Sequence, residues 1–203
     1  MVSEGEMDIT DRIFYGVIEE FKENGIKFTM DSLASRLGIS KRTLYETISS
    51  KTEVLEMVID RTFADVKRQQ KEIFDNSGLS LTDKLKRLFT IVPSYSEVID
   101  YRRVNEIRRV YPQLYQKIHD NLSSDWERTL DLLEEGMEAG VVKRKNLVVL
   151  KVLLLEIFEK LLDGSFLIQN NITYEMAMKE TLYIIFEGIL TDECKGEAQN
   201  DHI

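Results

Sequence analysis

The sequence predicts an all-α protein, and three observations lead to this fold class. Two prolines and ten glycines among 203 residues are too few for the frequent turns of a β-sandwich. Leu, Glu and Lys, which favour helices, are abundant. Apolar residues recur at three- and four-residue steps, the spacing of one buried helix face. We therefore expect about nine helices, and the 43% of residues that are hydrophobic can supply their core.

Four helices are expected in the first 76 residues. The apolar stripe of the first consists of Ile9, Ile13, Val17, Ile18 and Phe21. Thr29 and Ser40 precede two short helices and are expected to cap them, and Gly38 ends the first of these two. Ser50 and Glu53 have the spacing of a capping box, which opens a long fourth helix that ends near residue 76.

Five further helices are expected beyond residue 77. Their predicted ranges are 81–92, 98–110, 114–137, 146–167 and 174–190. Pro93 and Pro112 should end the first two, because proline removes a backbone donor and disturbs the preceding turn. The third should end at Gly140.

The segment from Asn76 to Gly78 is the clearest break in the sequence. It predicts an N-terminal domain at 1–50, a connecting helix at 51–76, and a second domain at 77–203. No internal repeat or low-complexity tract interrupts this organisation.

The charge is unevenly distributed along the chain. The formal net charge of −9 argues against indiscriminate adhesion to nucleic acid. Between residues 27 and 51, however, five basic residues face only two acids. These are Lys27, Arg36, Lys41, Arg42 and Lys51 against Asp31 and Glu46. This basic island could be an ordinary solvated corner or the one surface that meets a polyanion.

The sequence favours a cytoplasmic protein. Its single cysteine, Cys194, cannot close a disulfide within the chain, and the first residues lack the basic and apolar regions of a secretory signal. The most apolar segment, 147–162, carries four charged residues and falls short of the about 18 uncharged residues of a membrane span. We expect no membrane segment.

Within the basic island, the apolar residues have the spacing of a helix-turn-helix. The inward set is Leu33, Ala34, Leu37, Gly38, Ile39 and Leu44. The small Ala34 would let the two helices cross closely, and Gly38 would take a left-handed turn. The outward set is Ser40, Lys41, Arg42, Thr43 and Tyr45, at the start of the third helix, where recognition helices meet DNA. Such a pattern also arises by chance in all-α proteins.

A longer stretch strengthens the helix-turn-helix interpretation. The run FYGVIEEFKENGIKFTMDSLASRLGISKRTLYETISSKTEVL, residues 14–55, resembles the DNA-binding domain of the tetracycline-repressor (TetR) family. Ile48 stands where the family usually has an aromatic residue, and Gly16 and Val17 stand where it has small alanines. The resemblance implies a three-helix DNA-binding domain followed by a variable helical domain, which binds an effector and forms a dimer.

The resemblance also implies the DNA contacts. Thr29, Tyr45 and Lys51 are expected to bind phosphate, and Ser40, Lys41, Arg42 and Thr43 are expected to bind bases or phosphate. Arg and Lys can bind phosphate or the O6 and N7 atoms of guanine, so which of Lys41 and Arg42 reads a base stays open. Glu46 could accept a hydrogen bond from cytosine, or it could be a solvated carboxylate.

The last two predicted helices are apolar on nearly every side, so each must be covered all round. Either a central place in the fold or a second copy of the chain could cover them. The resemblance favours the second copy, which would form a four-helix interface in a homodimer on a palindromic double-stranded DNA operator. The expected interface residues are Leu154, Phe158, Leu161, Leu182, Ile185, Phe186 and Ile189.

The resemblance further implies a small-molecule effector enclosed by helices between residues 81 and 166. Candidate wall residues are Tyr95, Tyr101, Tyr111, His119, Trp126, Met137, Phe158 and Phe166. Each of these also fits an ordinary core position. The apolar character suggests a hydrophobic or amphipathic effector. Arg102, Arg103, Arg108 and Arg109 could hold an anionic effector, or they could form exposed ion pairs.

Enzyme and metal chemistry are not expected. The sequence has no Gly-rich phosphate loop, nucleophile elbow or Glu-x-x-His pair, and its two histidines lie outside metal-ligand spacings, so we expect no cofactor and no metal. The predicted function is a ligand-responsive transcriptional regulator, more a repressor than an activator. The alternative is a helix-turn-helix adaptor whose second domain binds a protein.

Overall fold

A computed structural model describes residues 7–95 and 103–191 of the chain. Within these ranges the chain forms eleven α-helices and one 3-10 turn, and its β pairing is limited to an isolated bridge between Val142 and Leu190. The helices are α1 (Ile9–Asn24), α2 (Met30–Leu37), α3 (Lys41–Thr47), α4 (Lys51–Asp75), α5 (Leu81–Phe89), α6 (Val104–Val110), α7 (Pro112–Ser123), α8 (Glu127–Glu138), α9 (Leu147–Leu162), α10 (Ser165–Asn170) and α11 (Tyr174–Ile189). The 3-10 turn spans Gly25–Lys27. The predicted all-α fold is confirmed.

Two of the expected helices are divided. The range 114–137 contains most of α7 and nearly all of α8, which are separated at Asp125, where φ is +58°. The range 146–167 contains α9 and the start of α10, and Gly164 between them also has a positive φ, of +69°. Glycine adopts this left-handed conformation readily, whereas aspartate does so less often.

The buried apolar residues form two clusters. The first joins α1, α2 and α3 to the start of α4 and to α6 and α7; it includes Ile13, Leu33, Leu44, Val54, Ile107 and Leu114. The second joins α5 and α8 to α9, α10 and α11; it includes Leu85, Leu133, Leu154, Leu167 and Leu182. The long helix α4 contacts α1, α5 and α7, so it connects the two clusters.

Helix α9 is the most apolar helix, and it packs against α7, α10 and α11. Leu150, Leu154 and Leu161 are its buried side chains. Among the described helices, none has both the length and the apolarity needed to cross a membrane.

Candidate nucleic-acid interface and ligand cavity

The hairpin of α2 and α3 is built by local hydrogen bonds. Thr29 Oγ1 accepts from the Ser32 backbone nitrogen at 3.0 Å, and Ser32 Oγ accepts from the Thr29 nitrogen at 3.0 Å. Gly38 ends α2 with φ +64°, a left-handed conformation that glycine adopts at low cost. Ser40 Oγ then accepts from the Thr43 nitrogen at 3.0 Å and caps α3. Both predicted caps are therefore present.

The hairpin separates an inward from an outward set of side chains. Leu33, Ala34 and Leu44 are buried, and Leu37 and Ile39 pack against them. Gly16 of α1 permits a close approach to α2, because a Cβ there would lie 2.8 Å from Leu37 Cδ2. The predicted DNA-contacting residues that are exposed are Thr29, Ser40, Lys41, Arg42, Thr43 and Tyr45.

Two of these outward residues form exposed ion pairs. The Lys41 ammonium binds the Asp31 carboxylate, and Arg42 Nε lies 2.8 Å from Glu46 Oε1. The Arg42 side chain is 88% exposed. Exposed pairs of this kind contribute about 0–1 kcal/mol, so phosphate can replace the carboxylates at low cost. Glu46 is therefore a solvated ion-pair partner in the unbound protein.

Arg36, which belongs to the basic island in the sequence, faces α1. Its guanidinium contacts Glu19, Glu20 and Glu23, with Nε 2.6 Å from Glu20 Oε1. Burial alone would raise the pKa of Glu20, but hydrogen bonds from Arg36, Ser32 and Asn24 more than offset it and hold that pKa below its ordinary value. Arg36 thus connects α2 to α1 through ion pairs, and three carboxylates balance its positive charge.

Lys51, the remaining predicted phosphate contact, is half-buried. Its ammonium donates to the backbone oxygens of Ile26 and Phe28 and lies 4.3 Å from the centre of the Phe28 ring. Burial lowers the pKa of this ammonium. Because an ammonium has three N–H donors, one remains for a phosphate after these two bonds.

A cavity of about 270 Å³ lies beside α4, between the two clusters of buried residues. Its walls include Val17, Ile18 and Phe21 of α1, and Tyr174 and Met178 of α11. The contribution of α4 is Leu55, Val58, Ile59, Thr62, Phe63, Val66, Lys67 and Gln70. Apolar side chains dominate these walls, so the cavity suits an apolar molecule.

Only part of the predicted effector wall faces this cavity. Trp126 and Phe158 line it. Tyr95, Tyr111, His119, Met137 and Phe166 are not among its lining residues, and Tyr101 lies outside the described part of the chain. The α1 and α4 side chains were missed because the prediction considered only helices between residues 81 and 166 and favoured their large side chains.

Tyr95 and His119 have other contacts. The Tyr95 hydroxyl donates to Thr62 Oγ1 at 2.7 Å, and its ring packs edge-on against Phe14. His119 Nε2 lies 2.9 Å from Glu159 Oε1 on α9. In the described ranges, no three His, Cys, Asp or Glu residues are grouped so that they could hold a metal ion.

The described members of the predicted arginine cluster, Arg103, Arg108 and Arg109, do not line the cavity. Arg103 lies 3.7 Å from Glu106, and Arg108 lies 3.9 Å from Asp163 and beside the Tyr115 ring. Arg102 lies outside the described residues. The pairs of Arg103 and Arg108 favour the exposed ion-pair interpretation over an anion site.

The predicted interface residues of α9 and α11 lie mostly inside the protomer. Leu154, Leu161, Leu182, Ile185 and Ile189 are buried within a single protomer, and Phe158 and Phe186 are partly buried against the same cluster. The first five therefore offer little surface to a partner, whereas Phe158 and Phe186 are partly accessible. The exposed apolar residues are instead Val148, Val149, Val152 and Leu153 of α9 and Met176, Tyr183 and Ile184 of α11, which together we call the outer face.

No family model matches the sequence. The chain is 25% identical over 182 residues, 90% of its own length and 96% of the other's, to the uncharacterized HTH-type transcriptional regulator YvaF of Bacillus subtilis.

Solved structures are similar to the whole fold. A TetR-family transcriptional regulator of Marinobacter aquaeolei matches with a TM-score of 0.63 and 18% identity, over 92% of this chain and 93% of that one. The ketosteroid transcriptional regulator KstR2 of Mycobacterium tuberculosis has a TM-score of 0.63 and 17% identity, over 95% and 100%. FadR of Bacillus subtilis, in complex with stearoyl-CoA, has a TM-score of 0.61 and 15% identity, over 86% and 96%. The chain has the fold of TetR-family transcriptional regulators, with an N-terminal helix-turn-helix, and the predicted resemblance is confirmed.

Proposed function

We propose that this protein is a ligand-responsive, sequence-specific DNA-binding transcriptional regulator, and that it represses from a palindromic operator until a small apolar or amphipathic effector releases it. The observation that carries the proposal is the outward edge of α3. Ser40, Lys41, Arg42, Thr43 and Tyr45 are exposed, while Leu44 between them anchors the helix to the core. Their position at the start of a helix after a glycine turn is the position that reads DNA in helix-turn-helix proteins.

The proposed DNA contacts combine phosphate binding with base reading. Thr29, Tyr45 and the third N–H of Lys51 would bind phosphate, which fixes the orientation on the duplex. Lys41, Arg42 and Thr43 would enter the major groove, where Arg or Lys can recognise guanine. Because the protein as a whole carries a net charge of −9, most of its surface is repelled by DNA, and binding depends on the exposed edge of α3.

We assign DNA binding to residues 1–50, the connection to residues 51–76, and effector binding and dimerisation to residues 77–203. The cavity crosses this division, because α1 and α4 supply part of its walls. An effector inside it would contact Val17, Ile18 and Phe21 of the DNA-binding domain directly. Effector and operator would then oppose each other's binding by the same factor.

A homodimer completes the proposal. One short recognition helix reads few bases, so two copies about 34–36 Å apart are needed for specificity. The outer face of α9 and α11 presents seven large apolar side chains to solvent, and α9 and α11 contact each other, so their exposed sides can form one surface. A second copy placed on this surface would bury it and form a four-helix interface.

The effector proposal is favoured over the adaptor alternative by the cavity. A largely apolar cavity of about 270 Å³ has the size for a small molecule, whereas a protein partner needs a broad accessible surface. The similar regulator FadR was solved with stearoyl-CoA, a molecule with a long apolar chain. This supports the class of effector proposed here.

Selection of bound duplexes from a random DNA pool tests the function. We expect a sequence with two inverted half-sites. Lys41→Ala combined with Arg42→Ala should lower affinity for that sequence at least tenfold without changing helicity. Lys71→Ala is the matched control, because Lys71 also forms an exposed ion pair, with Asp75 at 2.6 Å, but lies on α4 away from the hairpin. Selection of no common sequence, or wild-type affinity in the double variant, would refute the assignment.

A further inference from the structure

The cavity has a charged end. Of the described residues that line it, only Lys67 and Asp125 carry a charge, and Lys67 Nζ lies 2.7 Å from Asp125 Oδ2. Three polar residues close to this pair in sequence also line the cavity: Gln70, which follows Lys67 on α4, and Asn121 and Ser124, which precede Asp125. We call these five residues the polar rim. The other walls are largely apolar, so the cavity can distinguish one end of a ligand from the other.

The cavity is also long. Its lining residues on α4 extend from Leu55 to Gln70, and at about 1.5 Å per helical residue this distance is roughly 22 Å. Lys67 lies near one end of this row, roughly 18 Å from Leu55 by the same rise. A linear chain that starts at Lys67 can therefore run along α4 between apolar side chains and reach the residues of α1.

The exposure of the two charged groups indicates the sign of the ligand's head. The Asp125 side chain is 61% exposed, whereas that of Lys67 is 46% exposed. An anionic ligand would displace Asp125, which can turn into water from a loop position between α7 and α8. A cationic ligand would have to displace Lys67, which lines the cavity from within helix α4. Exchange of one carboxylate for another also keeps the charge around Lys67 unchanged.

We propose that the effector is an anionic amphiphile, a linear apolar chain with one acidic head, whose head replaces Asp125 as the partner of Lys67 while its chain lies along α4. This inference rests on the proposed role of the cavity as the effector site, and it names the ligand class. A second cation is near: Lys151 Nζ lies 5.9 Å from the centre of the Trp126 ring, and Trp126 lines the cavity next to Asp125. A neutral ligand would leave the Lys67 and Asp125 pair intact and gain nothing from it.

Calorimetric titration with three probes of equal chain length tests the ligand class. Dodecanoate, dodecan-1-ol and dodecyltrimethylammonium are each titrated below the concentration at which they form micelles. We expect dodecanoate to bind about tenfold more tightly than the other two, because only its carboxylate can take the place of Asp125 beside the Lys67 ammonium. Equal binding of carboxylate and alcohol, tighter binding of the cation, or no saturable binding of any probe would overturn the proposal.

Variants at the polar rim test the residues. Lys67→Met keeps the methylene groups but removes the charge, and it should reduce dodecanoate affinity to the level of the alcohol. Lys67→Arg should keep the preference for the carboxylate. Asp125→Asn removes the competing anion and should tighten dodecanoate binding severalfold while leaving dodecan-1-ol unchanged. Lys71→Met, one turn further along α4 and outside the cavity lining, should match the wild type. If either Lys67→Met or Asp125→Asn left dodecanoate affinity unchanged, the proposed replacement of Asp125 by the ligand's carboxylate would be refuted.

Operator affinity measured in the same samples separates this inference from the proposed function. If dodecanoate binds through Lys67 but leaves operator affinity unchanged, the ligand class stands and effector-driven release fails. If an uncharged apolar molecule releases the wild type and Lys67→Met from the operator equally well, effector-driven release is supported and the proposal of an anionic ligand is refuted.

Discussion

Glu106 of α6 accepts a hydrogen bond from the backbone N–H of Ile26 in the 3-10 turn, with 2.7 Å between Oε2 and the nitrogen. The two residues are 80 positions apart in sequence, and the bond joins the N-terminal helices to the body of the protein. Glycine suits position 25 beside this bond, because φ is +58° and ψ is −149° there, a conformation that other residues rarely adopt. The position of the three N-terminal helices, α1, α2 and α3, therefore depends on α6 as well as on α4.

Loss of the Glu106 carboxylate should destabilise the protein. Glu106→Ala leaves the N–H of the buried Ile26 without its acceptor, so we expect the free energy of unfolding to fall by about 1–3 kcal/mol. Glu106→Gln retains an acceptor oxygen and should recover most of this loss. Urea unfolding at one fixed protomer concentration measures both variants. An alanine variant as stable as the wild type would show that the bond contributes nothing.

Glu20 should make stability depend on pH in the acidic range. Its side chain is 4% exposed, and its pKa is lowered in the folded state. The stabilisation is therefore complete above the pKa of the unfolded chain and is lost as the pH falls through the folded value. Glu20→Gln should lower stability by about 2 kcal/mol at neutral pH and flatten the acid dependence. Urea unfolding between about pH 3 and pH 7 tests this; equal slopes in both proteins would contradict it.

Local patterns in the sequence were sufficient to predict the hairpin. Thr29, Gly38 and Ser40 each act on backbone groups within a few positions, so their roles can be read from spacing alone. Arg36 was counted in the basic island because its partners Glu19 and Glu20 lie on another helix, outside that stretch. Pairing between helices depends on how they pack, and that is absent from the local pattern.

The inward and outward sides of α9 could not be predicted for a related reason. Helical periodicity identifies a buried face only where polar residues mark the opposite face. In α9 the neighbours Leu153 and Leu154 are chemically identical, yet one is 49% exposed and the other 0%. Only the packing of α9 against α11 and α7 distinguishes them. The break at Asp125 was missed similarly, because neither glycine nor proline marks it.

These two leucines give a matched test of the dimer. Leu153→Glu places a charge on the outer face, so the protomer should fold normally but sediment as a monomer. Leu154→Glu places the charge in the core, where an unpaired carboxylate costs several kcal/mol, so the protomer should unfold or aggregate. Sedimentation and circular dichroism distinguish the two results. A stable dimer of Leu153→Glu would place the interface elsewhere.

Substitution of Lys51 should lower both stability and DNA affinity, whereas substitution of Arg42 should lower DNA affinity alone. Lys51→Met removes two hydrogen bonds to the carbonyls of Ile26 and Phe28 and the contact with the Phe28 ring, so it should lower the free energy of unfolding by about 1–2 kcal/mol as well as weaken DNA binding. Arg42→Ala removes an exposed side chain that forms an ion pair with the exposed Glu46, so it should weaken DNA binding with stability unchanged.

Each variant that loses a phosphate contact should also reduce the dependence of log affinity on log salt by about one unit. Urea unfolding and operator titrations at several salt concentrations measure both effects. If Lys51→Met is as stable as the wild type, its ammonium is free for DNA in solution; if Arg42→Ala binds operator normally, Arg42 does not contact DNA.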